Sequence, residues 1–75
     1  MPVFCLICGA TCDAHRALIV NRERFGSEKD FELFMCSEHA NAVIAAVIEL
    51  RRLRYKCERV NDLVATITEK AMTLL

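Results

Sequence analysis

The sequence predicts a small α+β fold, in which a metal-binding knuckle and a β-hairpin precede one long C-terminal helix that forms an oligomeric coiled coil. Two pairs of metal-ligating side chains, each with two residues between its members, predict the knuckle and its metal. A stretch without glycine or proline from Ser37 to Leu75 predicts the helix, and an apolar heptad stripe predicts its pairing. We therefore expect residues 1–40 to hold the metal and the hairpin, and residues 37–75 to form the oligomerising helix.

Length and composition limit what this chain can be. With 75 residues it forms one domain at most, and so short a chain buries too little apolar surface to be stable by packing alone. Its five cysteines are odd in number and its first residues do not resemble a secretion signal, which favours the reducing cytoplasm, where cysteines more often bind metal. Ten basic residues balance ten acidic ones, so the net charge points to neither nucleic acid nor a membrane. No apolar run approaches the roughly 20 residues that span a bilayer.

The candidate metal ligands form two pairs. Cys5 and Cys8 make a C-x2-C turn, and Gly9 can take the positive φ with which the chain leaves such a turn. Cys36 and His39 form the second pair, 27 residues later, where we expect a strand to meet the helix. Three thiolates and a neutral imidazole fill the four positions of one Zn²⁺ ion and leave none for a substrate. We therefore expect one structural zinc ion per chain and no enzymatic activity.

A second ligand set stays open. The two knuckle cysteines, together with Cys12 and His15, also form a C-x2-C-x3-C-x2-H pattern, which would leave Cys36 and His39 unused. We favour the set that includes Cys36 and His39, because it ties the knuckle to the helix and gives a small domain the constraint that it needs. Within that set, Cys12 or His15 could still replace one ligand.

A β-hairpin is predicted between the two ligand pairs. Residues 15–25 and 31–36 are rich in β-branched and aromatic side chains, and they flank the polar turn GSEKD. In the second strand, apolar Phe31, Leu33 and Met35 occupy alternate positions, which predicts a sheet with one buried face.

The order of these features resembles a treble-clef zinc finger. In that family a C-x2-C-G knuckle is followed by a β-hairpin and by a helix whose first turn carries the second ligand pair, here CLICG and CSEH. The resemblance runs from residue 4 to about residue 50, and it implies a fold and a bound zinc ion. It implies no single task, because the family includes nucleic-acid binders, protein-interaction modules, ribosomal proteins and nucleases.

The C-terminal helix carries the predicted oligomer interface. Ser37 is a favourable N-cap, and 39 residues at ~1.5 Å each would make a rod of ~58 Å, which the preceding residues are too few to cover. The alternative is a break at Asn61 or Asp62, after which the last 13 residues fold back on the chain. We favour the continuous helix, because the heptad frame passes through that site without a slip. Its apolar a and d positions are Val43, Ala46, Leu50, Leu53, Cys57, Val60, Val64, Ile67, Ala71 and Leu74.

Two functions fit these features. We expect a non-catalytic, zinc-stabilised protein-interaction module, a small regulator, adaptor or inhibitor, that forms a homo-oligomer, with a dimer favoured, and binds a partner protein. The alternative is a dimeric DNA- or RNA-binding zinc-finger protein. Its basic residues would be Arg52, Lys56 and Arg59 on one helical stripe, joined by Arg22 and Arg24 from the hairpin. Charge runs on long helices are usually solvated, which favours the first function.

Overall fold

A computed structural model describes residues 3–12 and 17–75 of the chain. They form a small α+β fold with two antiparallel hairpins and two C-terminal helices that pack against each other. None of the helices in this part of the chain combines the length and the apolar character needed to cross a bilayer. In chain order the elements are β1 (Val3–Phe4), β2 (Thr11–Cys12), β3 (Leu18–Val20), α1 (Arg22–Phe25), β4 (Phe31–Leu33), α2 (Ala40–Arg52) and α3 (Val60–Thr73).

The predicted hairpin is present, although its strands are shorter than the sequence suggested. β3 and β4 pair antiparallel, with Val20 opposite Phe31. The connection between them is more than a turn, because it contains α1, which ends at Gly26 with a φ of 69°. Leu33 and Met35 are buried on one side, as their alternation predicted.

A second hairpin, which the sequence analysis did not predict, encloses the knuckle. β1 and β2 pair antiparallel, with Val3 opposite Cys12 and Phe4 opposite Thr11. Each strand has only two residues, too few for alternation to give a recognisable signal. This hairpin fixes the two ends of the loop that carries Cys5 and Cys8.

The prediction of one continuous C-terminal helix is wrong. A turn follows Ser37, α2 runs from Ala40 to Arg52, and α3 begins only at Val60 and packs against α2. The longest dimension of the molecule is 30 Å, so the rod of ~58 Å does not form. The fold-back alternative describes this architecture, but it placed the break at Asn61 or Asp62, both of which lie inside α3.

The C-terminal end of α2 explains why the sequence did not reveal the break. Arg54 has a φ of 56°, in the left-handed region where glycine is usual. The Tyr55 N–H donates to the Leu50 carbonyl at 3.0 Å, and the Arg54 N–H donates to the Arg51 carbonyl at 3.1 Å. These two bonds define a Schellman C-cap, here built around arginine. Because the usual glycine is missing, the sequence lacked the commonest signal for a helix end.

The link between the helices, residues 53–59, is held by the N-terminal half of the chain. The Cys57 N–H donates to the Phe25 carbonyl at 2.7 Å, and the Glu28 N–H donates to the Glu58 carbonyl at 2.8 Å. These bonds satisfy backbone groups that a continuous helix would have paired internally. The direction of α3 therefore depends on contacts between residues that are about 30 positions apart in the chain.

One apolar core joins both halves of the chain. Phe25 and Met35 belong to the same buried cluster as Leu63 and Ile67. The latter two are residues of α3, and their side chains are fully buried. The apolar stripe is thus covered to a large extent by the chain itself, and no oligomeric coiled coil is shown. Five of the ten residues predicted as the oligomer interface are buried in this core: Val43, Ala46, Leu50, Ile67 and Ala71. The other five are half-buried or exposed: Leu53, Cys57, Val60, Val64 and Leu74.

Candidate metal centre

The first pair of candidate ligands lies on a tight turn after β1. The Gly9 N–H donates to the Cys5 carbonyl at 3.0 Å, and the Cys5 N–H donates to the Ala10 carbonyl at 2.8 Å. Gly9 has a φ of 73°, the conformation that the C-x2-C-G spacing predicted for it. The turn therefore directs Cys5 and Cys8 to the same side.

The second pair lies where the chain passes from β4 to α2. The N–H groups of His39 and Ala40 both donate to the Cys36 carbonyl, at 3.1 and 3.0 Å, so helical winding starts directly after Cys36. One such turn brings Cys36 and His39 to the same side of the chain. The Leu6 N–H, in the first turn, donates to the Phe34 carbonyl at 2.8 Å. This bond fastens the two ligand-bearing turns to each other.

The four predicted ligands converge. Their three Sγ atoms and a ring nitrogen of His39 all lie within 4.8 Å of one another. The Cys8 and Cys36 Sγ atoms are 3.8 Å apart, and His39 Nδ1 lies 3.2 Å from Cys36 Sγ and 3.7 Å from Cys5 Sγ. A tetrahedral zinc ion, with Zn–S of ~2.3 Å and Zn–N of ~2.0–2.1 Å, holds two sulfurs about 3.8 Å apart and a sulfur and a nitrogen about 3.6 Å apart. The group could therefore hold a metal ion, and its donors and dimensions suit zinc.

The surroundings shift the pKa values of two of the thiols in opposite directions. Burial raises the pKa of the Cys5 thiol, but backbone N–H groups, that of Cys36 first, and the His39 side chain outweigh it and lower the pKa to about 6. The pKa of Cys8 is raised: a hydrogen bond from the Ala10 backbone lowers it, but desolvation and the adjacent Cys5 and Cys36 thiols outweigh that bond. Neighbouring thiolates repel one another, and a bound divalent cation removes this conflict.

Only part of the competing ligand set lies among the described residues. Cys12 lies in β2, opposite Val3, and His15 lies outside the described residues. The remaining cysteine, Cys57, lies in the link, where its thiol donates to the Arg59 carbonyl at 3.4 Å. Among the residues that the structure describes, the group close enough to bind one ion contains Cys36 and His39 together with the knuckle pair.

The basic residues named for nucleic-acid binding do not lie on one helical stripe. Arg52 ends α2, Lys56 lies in the link, and Arg59 is the N-cap of α3, so the predicted stripe was an artefact of the continuous helix. Arg22 begins α1, where its N–H donates to the Asp30 carboxylate at 2.6 Å.

Two of the five predicted basic residues line the same open groove, which was not predicted from the sequence. Arg24 and Arg52 line this groove, of about 450 Å³, together with Ile48 and Arg51. Arg51 and Ile48 were not predicted from the sequence, because their position next to α1 depends on how α2 packs. An exposed isoleucine one turn before an arginine pair is the local signal that could have drawn attention to them.

Comparison with known proteins gives no family for this chain, since no protein-family model, no curated protein and no solved structure matches it significantly.

Proposed function

We propose that this chain is a non-catalytic, zinc-stabilised protein-interaction module that acts as a small regulator, adaptor or inhibitor. The observation that carries this proposal is the closed group of three thiols and one imidazole, whose ligand atoms lie within 4.8 Å of one another. Zinc in such a group has four protein ligands and no open position for water or substrate, as in structural zinc sites. Its binding free energy adds to folding, which a chain of 75 residues needs.

The surface supports a binding role. Ile19, Ile44 and Ile48 expose 63, 42 and 46% of their surface, respectively. Ile19 lies in β3, and the two other isoleucines lie one turn apart on the same side of α2. The two isoleucines on α2 form an exposed apolar patch, and such patches are typical of surfaces that bind another protein.

The cysteines support a reducing location such as the cytoplasm. None of the five cysteines, all of which the structure describes, forms a disulfide. Cys5, Cys8 and Cys36 belong to the proposed zinc site, and Cys12 and Cys57 do not. Thiols in this state persist where glutathione and thioredoxin keep them reduced.

The test combines metal analysis with partner capture. We expect the chain purified from its native host to carry one zinc ion, to lose its fold on chelation, and to capture a protein partner with or without nuclease treatment. A chain that stays folded without zinc would contradict the metal site. Failure to capture any protein after nuclease treatment would contradict the interaction role.

A dimeric DNA- or RNA-binding protein is the second candidate, favoured by one observation, the meeting of Arg24, Arg51 and Arg52 in the groove. If it holds, affinity for random duplex should fall steeply with salt, in proportion to the phosphates neutralised. A flat salt response would discard it.

Homo-oligomerisation, with a dimer favoured, stays a prediction. Sedimentation at micromolar concentration measures it.

A further inference from the structure

We propose that the groove between α1 and the C-terminal part of α2 binds an acidic peptide segment that carries a bulky apolar side chain and belongs to a partner protein. We call it the Arg-Ile groove; it is lined by Arg24, Ile48, Arg51 and Arg52 and has a volume of about 450 Å³. The proposal rests on the proposed interaction function and adds the surface and the chemistry of the partner.

The positive charge of the Arg-Ile groove is not balanced within the described part of the chain. None of its three arginines forms an ion pair with a described carboxylate. The acid nearest in sequence, Glu49, pairs instead with Lys70 of α3 at 3.7 Å. The Lys56 ammonium donates to the Arg24 carbonyl at 2.9 Å, which adds a further cation close to α1. Guanidinium groups bind carboxylates through paired hydrogen bonds, so an acidic partner complements this surface.

Apolar surface continues from the groove onto the hairpin. A smaller cavity of about 80 Å³ shares Arg24 and Arg51 with the Arg-Ile groove and is lined by Ile19 on its β3 side. Ile48 lies within the groove, and Ile44 lies one turn before it on α2. An apolar side chain of the partner would remove these isoleucines from water, which supplies affinity, while the arginines fix the orientation.

This combination favours a peptide over a nucleic acid. Phosphates would satisfy the arginines, but a sugar-phosphate backbone would leave the three exposed isoleucines uncovered. Among the described residues that line the Arg-Ile groove, none is aromatic and could stack on a base. An acidic segment with one apolar anchor covers both kinds of surface.

The test is selection from a display library of random peptides, using the full chain purified with its metal. We expect the enriched peptides to be acidic and to contain a bulky apolar residue. The Kd of a synthesised enriched peptide, measured by fluorescence anisotropy, should rise about tenfold or more for Arg51→Glu and for Ile48→Asp. Circular dichroism checks that each variant folds, and Arg52→Gln serves as a milder third variant.

Two matched controls lie outside the groove. Arg59→Glu makes the same charge change at the N-cap of α3, and Met72→Asp makes the same apolar-to-acidic change at a site with 57% exposure. Both should change the Kd by less than about twofold.

Several results would overturn the groove assignment. The selection could enrich neutral or basic peptides, or no peptides at all. The control variants could lose as much affinity for the peptide as the groove variants do. Random duplex DNA could bind in a way that depends on Arg51 and displaces the peptide. If Arg51→Glu still captures the partner protein of the wild-type chain, the interaction function stands and the groove assignment fails. If the wild-type chain captures no protein, the function itself fails.

Discussion

The two halves of this molecule are stabilised in different ways. In residues 3–12 and 17–39 the strands have only two or three residues each, and the turns converge on four metal-ligating side chains. In residues 40–75, helices of 13 and 14 residues contribute seven buried apolar side chains to the core: Val43, Ala46, Val47, Leu50, Leu63, Ile67 and Ala71. We therefore expect the first half to depend on a bound metal ion, and the second on the apolar area that its helices bury.

The difference does not make the halves independent. Phe25, Leu33 and Met35 from the first half lie in the same core cluster as Leu63 and Ile67 from the second. Chains shorter than about 40 residues rarely fold without a metal, a disulfide or a partner, and each half is shorter than that. Damage to either half should therefore unfold both, by different routes and to different degrees.

Loss of the metal should have the largest effect. Chelation, or Cys36→Ser, is expected to abolish the fold of both halves, because structural zinc contributes about 10–16 kcal/mol of apparent binding free energy, more than a small core supplies. Far-UV circular dichroism and the NMR amide signals of α3 measure this. Cys57→Ser is the control and should keep both zinc and fold. A cooperative thermal transition that survives chelation would show that the helical half folds alone.

Truncation of a core side chain should have the next largest effect on stability. Ile67→Ala removes a fully buried side chain and should reduce the free energy of unfolding by about 2–5 kcal/mol, measured by urea titration. Ile67→Val, which should cost about 0.5–1.5 kcal/mol, keeps the test usable if the alanine variant does not fold. Met72→Ala, at an exposed position of the same helix, should change the stability by less than about 0.5 kcal/mol. Equal losses for Ile67→Val and Met72→Ala would contradict the packing of α3.

The helix break gives a test in which the sign of the change in unfolding free energy distinguishes two helices from one. Arg54 has a φ of 56°, so Arg54→Gly should stabilise the chain by about 0.5–1 kcal/mol, and Arg54→Val should destabilise it, since β-branched residues fit this conformation poorly. In a continuous helix, the glycine would instead cost about 1 kcal/mol. Urea titration of both variants distinguishes the two architectures. A less stable glycine variant would favour the single helix.

The surface ion pair between the helices should matter least. Glu49 and Lys70 are 3.7 Å apart, and their side chains are 45 and 32% exposed. Water and salt screen such pairs, so Lys70→Ala should cost no more than about 0.5 kcal/mol and should lose that effect in high salt. A double-mutant cycle with Glu49→Ala measures the coupling. A coupling above about 1 kcal/mol would mean that charge, as well as apolar burial, holds α3 on α2.

The metal half was more predictable than the helical half, for a physical reason. Ligand spacing is a local property, so Cys5, Cys8, Cys36 and His39 could be paired from the sequence and do converge. The heptad frame correctly indicated a buried stripe, but it contains no information on whether the covering helix belongs to the same chain. The break itself depends on distant backbone bonds, such as that from Cys57 to the Phe25 carbonyl, and on a left-handed arginine.

The helix break lies inside an unbroken heptad frame, so the same side chains would stay in register on one stripe if the link became helical. If the link straightened at Arg54, α3 of one copy could occupy the place of α3 in another, and the contacts of one core would re-form between two chains. Such a domain swap requires no new surface, only a hinge that opens at low cost. A slowly exchanging dimer that sediments apart from the monomer, and that Arg54→Gly makes rarer, would be its signature.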